Sequence, residues 1–89
     1  KLYRGNIMNI MNYLPINFDE KFEKFSEYWT PKILVKFDGY YIKAAKMKGE
    51  FVWHSHADAD ELFMVVSGTL KILFQDGEVL IKQGECFVV

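Results

Sequence analysis

From Ile33 onward the chain sets short apolar runs against polar breaks of two or three residues. Ile33 to Phe37 and Tyr40 to Met47 flank Asp38-Gly39, and Phe51 to Trp53 follow the break at Lys48-Gly49-Glu50. Ser67-Gly68 separates Leu62–Val66 from Thr69–Phe74, Asp76-Gly77 precedes Val79–Ile81, and Gln83-Gly84-Glu85 precedes Cys86–Val89. Asp-Gly between apolar runs is among the strongest short-range signals of a β-hairpin. Leu70, Ile72 and Phe74 alternate with Lys71 and Leu73, as in a strand with one mainly buried face. Strands spaced in this way, with glycine turns between them, predict an all-β domain over residues 32–89, an antiparallel sandwich or barrel.

The pattern upstream is different. Phe18, Phe22, Phe25 and Trp29 recur at helical spacing, which predicts one helix over residues 17–30 with its aromatic stripe packed on the sheet. Asn17 or Asp19 can cap its start, and Asn17 with Glu20 has the spacing of a capping box. Thr30-Pro31 stops it, because the residue before proline is pushed out of the helical region. Residues 1–16 are weakly patterned and form an N-terminal extension, disordered or an extra strand. The chain opens on Lys1, with Met8 and Met11 close behind, which points to a start that is not the native one or to a few added residues.

Composition narrows the class. Eighty-nine residues make one small domain, able to bury roughly 60–65% of its unfolded surface. Yet 51% of residues are hydrophobic and 17% aromatic, more than so short a chain hides well, so a partner subunit is expected. Eleven basic and 12 acidic residues give a net charge of −1, with no footprint for nucleic acid or an anionic membrane. No apolar run has the length of a membrane span. The single cysteine, Cys86, excludes an intrachain disulfide and, with no signal-peptide pattern, points to the cytoplasm. Cys86 itself is expected to be a packed strand residue.

Candidate chemistry gathers in Gly49 to Gly68. His54 and His56 stand two apart in a strand-like run and therefore share one face. If the chain folds back antiparallel through Ala57-Asp58-Ala59-Asp60, Glu61 returns close to both imidazoles. Two neutral imidazoles and a carboxylate suit a divalent metal and leave positions open for water, dioxygen or substrate. The alternative is two ordinary histidines hydrogen-bonded in a polar interior. Asp58 and Asp60 are read as turn residues, and Lys43, Lys46 and Lys48 as a solvated edge. With the histidines inward, Phe63 and Val65 face inward too, and Trp53, Leu62, Met64 and Val66 form an apolar outward row that something must cover.

These residues resemble the first conserved motif of the cupin superfamily. That motif reads glycine, five residues, His-x-His, three or four residues, Glu, six residues and Gly. His54-Ser-His56, Glu61 and Gly68 match, while Gly49 stands four residues before His54 where the pattern has five. The resemblance covers residues 32–89 and implies a cupin-type antiparallel jelly-roll barrel with one short N-terminal helix. It also implies His54, His56 and Glu61 as ligands of a divalent transition metal (iron, manganese, nickel, zinc or copper), and Phe63 and Val65 as cavity lining. The second cupin motif runs glycine, five residues, Pro-x-Gly, two residues and His. Gly84 and Glu85–Val89 supply its opening, so the expectation is that the closing strands and the fourth ligand are missing from these 89 residues.

Two functions follow as expectations. One is a metal-dependent enzyme acting on a small polar or sugar-like metabolite, its catalytic residues beyond the ligands unassigned. The other is a non-catalytic, dimeric module binding a metal or small molecule, suggested by the lack of an evident acid or base outside the ligand set. A homodimer is expected to form through the Cys86–Val89 edge or the outer apolar face.

Overall fold

The alternation in Thr69–Phe74 organises the molecule. In the computed structural model of the chain, which describes residues 13–54 and 59–89, this segment is β5 and lies at the centre of a three-stranded sheet. Its partners are β3 (Glu50–Val52) on one side and β6 (Gly77–Lys82) on the other. Ile72 lies between Phe51 of β3 and Val79 of β6, and its side chain is completely enclosed. Ile81 and Val65 complete the buried cluster, with Phe51, Trp53, Phe63, Leu70, Phe74, Val79 and Phe87 packed around it half-buried.

Two two-stranded ribbons accompany this sheet. The first is the hairpin of β1 (Lys32–Phe37) and β2 (Tyr40–Ala44); the second pairs β4 (Leu62–Met64) with β7 (Cys86–Val88), antiparallel. The β1–β2 turn needs two successive residues with positive φ, a type I′ geometry, and Asp38 (φ 49°) and Gly39 (φ 77°) provide them. The turn that closes β5 onto β6 is Gln75-Asp76, one residue earlier than the Asp-Gly signal, because Gly77 already pairs with Phe74 as the first residue of β6. The structure is therefore all-β with one short helix, and among the described residues no helix is long and apolar enough to cross a membrane.

Local pairing departs from the sequence reading in three places. The helix predicted over 17–30 is α1, Phe18–Phe22 only. Its start is as expected, with the Asn17 side chain accepting a hydrogen bond from the Glu20 N–H at 2.9 Å. Its end is not set by Thr30-Pro31. The Lys46 Nζ donates to the Phe25 carbonyl at 2.5 Å, the Trp29 N–H donates to the Lys46 carbonyl at 2.7 Å, and Tyr28 bridges Lys46. Pairing with the segment after β2 thus takes the backbone groups that a longer helix would have used. Trp29, at φ 60°, lies against Phe51 with ring centroids 6.0 Å apart instead of on a helical stripe.

The second departure concerns the histidine strand. β3 does not fold back onto β4; it runs parallel to β5, with Glu50, Phe51 and Val52 opposite Lys71, Ile72 and Leu73. β4 finds its partner in β7. Third, Trp53 belongs to the core and not to the outward row, and Cys86 is exposed, not packed. Cys86 pairs with Met64 across β4–β7, and alternation turns both away from the Phe63–Phe87 pair that faces the core. Residues 1–12 of the expected N-terminal extension lie outside the described residues.

The ion pairs add little. Lys71 reaches Glu50 at 3.7 Å and Glu78 at 3.8 Å, but all three side chains are well exposed, where such pairs contribute about 1 kcal/mol or less. Stability rests on the apolar row at Ile72. Replacing Ile72 by Ala removes a fully enclosed side chain and is expected to cost about 2–5 kcal/mol in urea unfolding. Leu80→Ala, on the half-exposed face of β6, is expected to stay within about 1 kcal/mol. Gly39→Ala meets no neighbouring atom, so its expected cost of about 1–2 kcal/mol isolates the left-handed backbone of the turn.

Candidate metal centre

The segment between β3 and β4 carries the candidate ligands, and both of its ends are held. At the first end the Trp53 N–H donates to the Leu73 carbonyl at 2.9 Å, extending the parallel pairing with β5 by one residue. At the second end Glu61 and Val89 exchange two backbone hydrogen bonds, of 3.2 and 2.9 Å, extending the β4–β7 ladder. The ends are joined through aromatic rings. Trp53 sits edge-on to Phe63 with centroids 5.8 Å apart, and Phe51 contacts Trp53 at 6.0 Å and Phe63 at 5.7 Å. Edge-to-face contacts at these distances favour the positive ring edge against the negative face and fix the angle at which two strands approach.

From that cluster the positions of the side chains follow. Phe63 and Val65 face inward, as the sequence implies, and strand alternation places Glu61 on the same face at the open end of β4. Glu61 is exposed there. His54 comes directly after Trp53, is exposed, and lines a shallow hollow with Val52, Leu73, Gln75 and Asp76. The two segments bearing His54 and Glu61 thus converge on one aromatic cluster, but with Trp53 turned inward His54 falls on the exposed side of Val52 and not on the inner face expected for it with Phe63 and Val65. Among the described residues no hydrogen bond or ion pair joins the two side chains, and no three His, Cys, Asp or Glu side chains are grouped to hold an ion. His56 and Asp58 lie outside the described residues; Asp60 is exposed.

Asp76 and Gln75 are additions that the sequence did not offer. Asp76 reads as a turn residue and stands in the Gln75-Asp76 turn, and the parallel β3–β5 pairing carries that turn to the end of β3, beside His54. No local pattern encodes a parallel pairing between segments about twenty residues apart, so no sequence signal pointed to Asp76. As a donor set, His54, His56 and Glu61 offer two borderline imidazole nitrogens and a hard carboxylate, which fits a divalent first-row metal and leaves part of its coordination open.

Comparison with known proteins identifies the fold. The family model described as the cupin domain matches residues 41–89. A crystal structure of a cupin-2 domain containing protein from Shewanella frigidimarina NCIMB 400 superposes with a TM-score of 0.79 and 44% sequence identity, over 83% of this chain and 72% of that one. The uncharacterized protein YdbB of Bacillus subtilis (strain 168) is 45% identical over 40 residues, which is 45% of this chain and 35% of the relative, so the match spans about a third of that protein. The family match covers more than half of the chain, including the strands on either side of the candidate ligands, and the chain belongs to the cupin family.

Proposed function

We propose that this cupin domain binds a divalent transition metal through His54, His56 and Glu61 and serves as a metal-dependent enzyme on a small polar or sugar-like metabolite. The observation that supports it most is the convergence of the Trp53–His54 and Glu61–Phe63 segments on one ring cluster, with Glu61 at the rim of the inner face. A metal bound there would supply Lewis acidity toward a substrate oxygen. The protein's own part is to orient and enclose. The backbone exchange with Val89 fixes the strand position of Glu61, the pairing with Leu73 fixes the backbone entering His54, and Phe63 with Trp53 gives an apolar floor that excludes water.

Asp76 favours the enzyme over the receptor. It lies in the hollow that His54 lines and is outside the ligand set, so it is available to accept or return a proton from a bound hydroxyl. Against a non-catalytic module, this supplies the acid–base group that the ligands themselves cannot.

Metal analysis of protein purified without chelator is expected to find a first-row transition metal in the wild type. The His54→Ala, His56→Ala double variant should hold at least about tenfold less, and the Glu61→Gln variant should bind more weakly while keeping its far-ultraviolet spectrum. Wild-type metal content no higher than that of the double variant overturns the reading. If metal binds and the activity screen yields a substrate, Asp76→Asn should lower kcat by roughly 10²-fold or more with the bound metal unchanged. Full activity in that variant would return the domain to the receptor reading.

A further inference from the structure

The hollow beside His54 forms where β3 and β5 both end, so both faces of the sheet contribute to its wall. Val52 and Leu73, cross-strand partners, come from the outer face. Alternation brings Trp53 and Phe74 from the inner face, and both are half-buried. The Gln75-Asp76 turn closes one end. The space is about 560 Å³ and open to solvent, within the range of about 300–1,000 Å³ that small-molecule sites occupy. Apolar and aromatic walls with a few polar groups gathered at one end are also the usual composition of such sites.

The polar groups at that end are unpaired within the protein. Among the described residues, neither the Gln75 amide nor the Asp76 carboxylate has a side-chain hydrogen bond or an ion pair. Lys71, on the strand that leads into the turn, is engaged by Glu50 and Glu78 instead. No lysine or arginine lines the hollow among the described residues. An anionic ligand would therefore meet the Asp76 charge with no cation to offset it. An ammonium would gain from Asp76 but lie beside the like charge of a metal held by His54. A neutral ligand avoids both conflicts. An ionised carboxylate only accepts hydrogen bonds, whereas an amide donates and accepts. Adjacent hydroxyls satisfy that pair, one donating to Asp76 while its neighbour accepts from the Gln75 N–H. The C–H face of the same ring then has the Trp53 and Phe74 rings to lie against.

We propose that this hollow selects an uncharged polyol, a free sugar or cyclitol ring with vicinal hydroxyls, over its phosphorylated and amino counterparts. Asp76 and Gln75 are the residues that set this specificity. The inference rests on the reading of the site given above and narrows its substrate from polar metabolites to neutral ones. Discrimination comes from the uncompensated Asp76 charge against anions as much as from the hydrogen bonds to the hydroxyls. Asp76 is exposed, so the repulsion is screened by salt.

The test is a heteronuclear NMR titration of the full isotope-labelled chain, chelator-treated and zinc-loaded in parallel. The probes are glucose, mannose and inositol, the phosphate monoesters of the two sugars, and glucosamine. At least one neutral compound is expected to shift the Gln75 side-chain amide and the Trp53 indole N–H resonances. Its phosphate ester should bind at least about tenfold more weakly at low salt, with the gap narrowing as salt rises. Asp76→Asn should close most of that gap, and Gln75→Leu should weaken the neutral compound about tenfold or more. Both residues lie in an exposed turn, so the circular dichroism of each variant should match the wild type. Neutral compounds that leave these resonances unmoved overturn the inference, as does a phosphate ester or glucosamine that binds as tightly as its parent sugar. Zinc uptake is read separately, from the His54 resonances. Zinc bound without sugar selectivity sinks this inference alone, whereas no zinc uptake sinks the reading on which it rests.

Discussion

One enclosed side chain holds the architecture together. Ile72 is the middle of a row that crosses three strands, Phe51 to Ile72 to Val79, and it gives β3 a fully enclosed apolar anchor on the sheet. Full burial of an isoleucine contributes about 1.5–3 kcal/mol, a large share of what a domain of this size can possess. β3 is only three residues long, and the pairing that extends it by one leads straight into Trp53 and His54. The position of the candidate ligands is therefore a downstream effect of aliphatic packing two strands away.

Around that row the aromatic residues do the joining. Phe51 touches Trp29, Trp53 and Phe63, which come from the connector before β1, the end of β3 and β4 respectively. Phe74 of β5 meets Phe87 of β7 at 6.2 Å. Rings thereby connect the three-stranded sheet to the β4–β7 ribbon, where among the described residues no backbone ladder does. The high aromatic content, which looks excessive for a short chain, has this use: flat rings span the gap between small sheets that aliphatic side chains would leave open.

How much of this could be read from residues alone depends on the range of the interaction. The Asp38-Gly39 hairpin, the β5–β6 hairpin (its turn one residue earlier than Asp76-Gly77), the Asn17 cap and the inward facing of Phe63 and Val65 are legible because each is decided by neighbours a few positions away. The cupin resemblance is likewise legible, in the spacing of His54, His56, Glu61 and Gly68, and the family match bears it out. The end of α1 is not legible, since Phe25 and Trp29 fit a helix until Lys46 claims their backbone. Neither is the side on which Trp53 sits, because that depends on β3 choosing β5 over β4. Periodicity reports which residues share a face and is silent on which face meets which. For the site, this brought the segments of His54 and Glu61 to a common place and left Asp76 to be found in three dimensions.

The β3–β5 and β4–β7 pairings join residues more than twenty positions apart, while β1–β2 and β5–β6 close through turns of two residues. Local hairpins form in about 1–10 μs, whereas a ladder between distant segments waits on the entropy of closing the intervening loop. The stretch from Trp53 to Glu61 is bounded on both sides by the slow kind. The two ladders that hold Trp53 and Glu61 therefore each close a long loop, and their formation carries a larger entropic cost than that of the two hairpins.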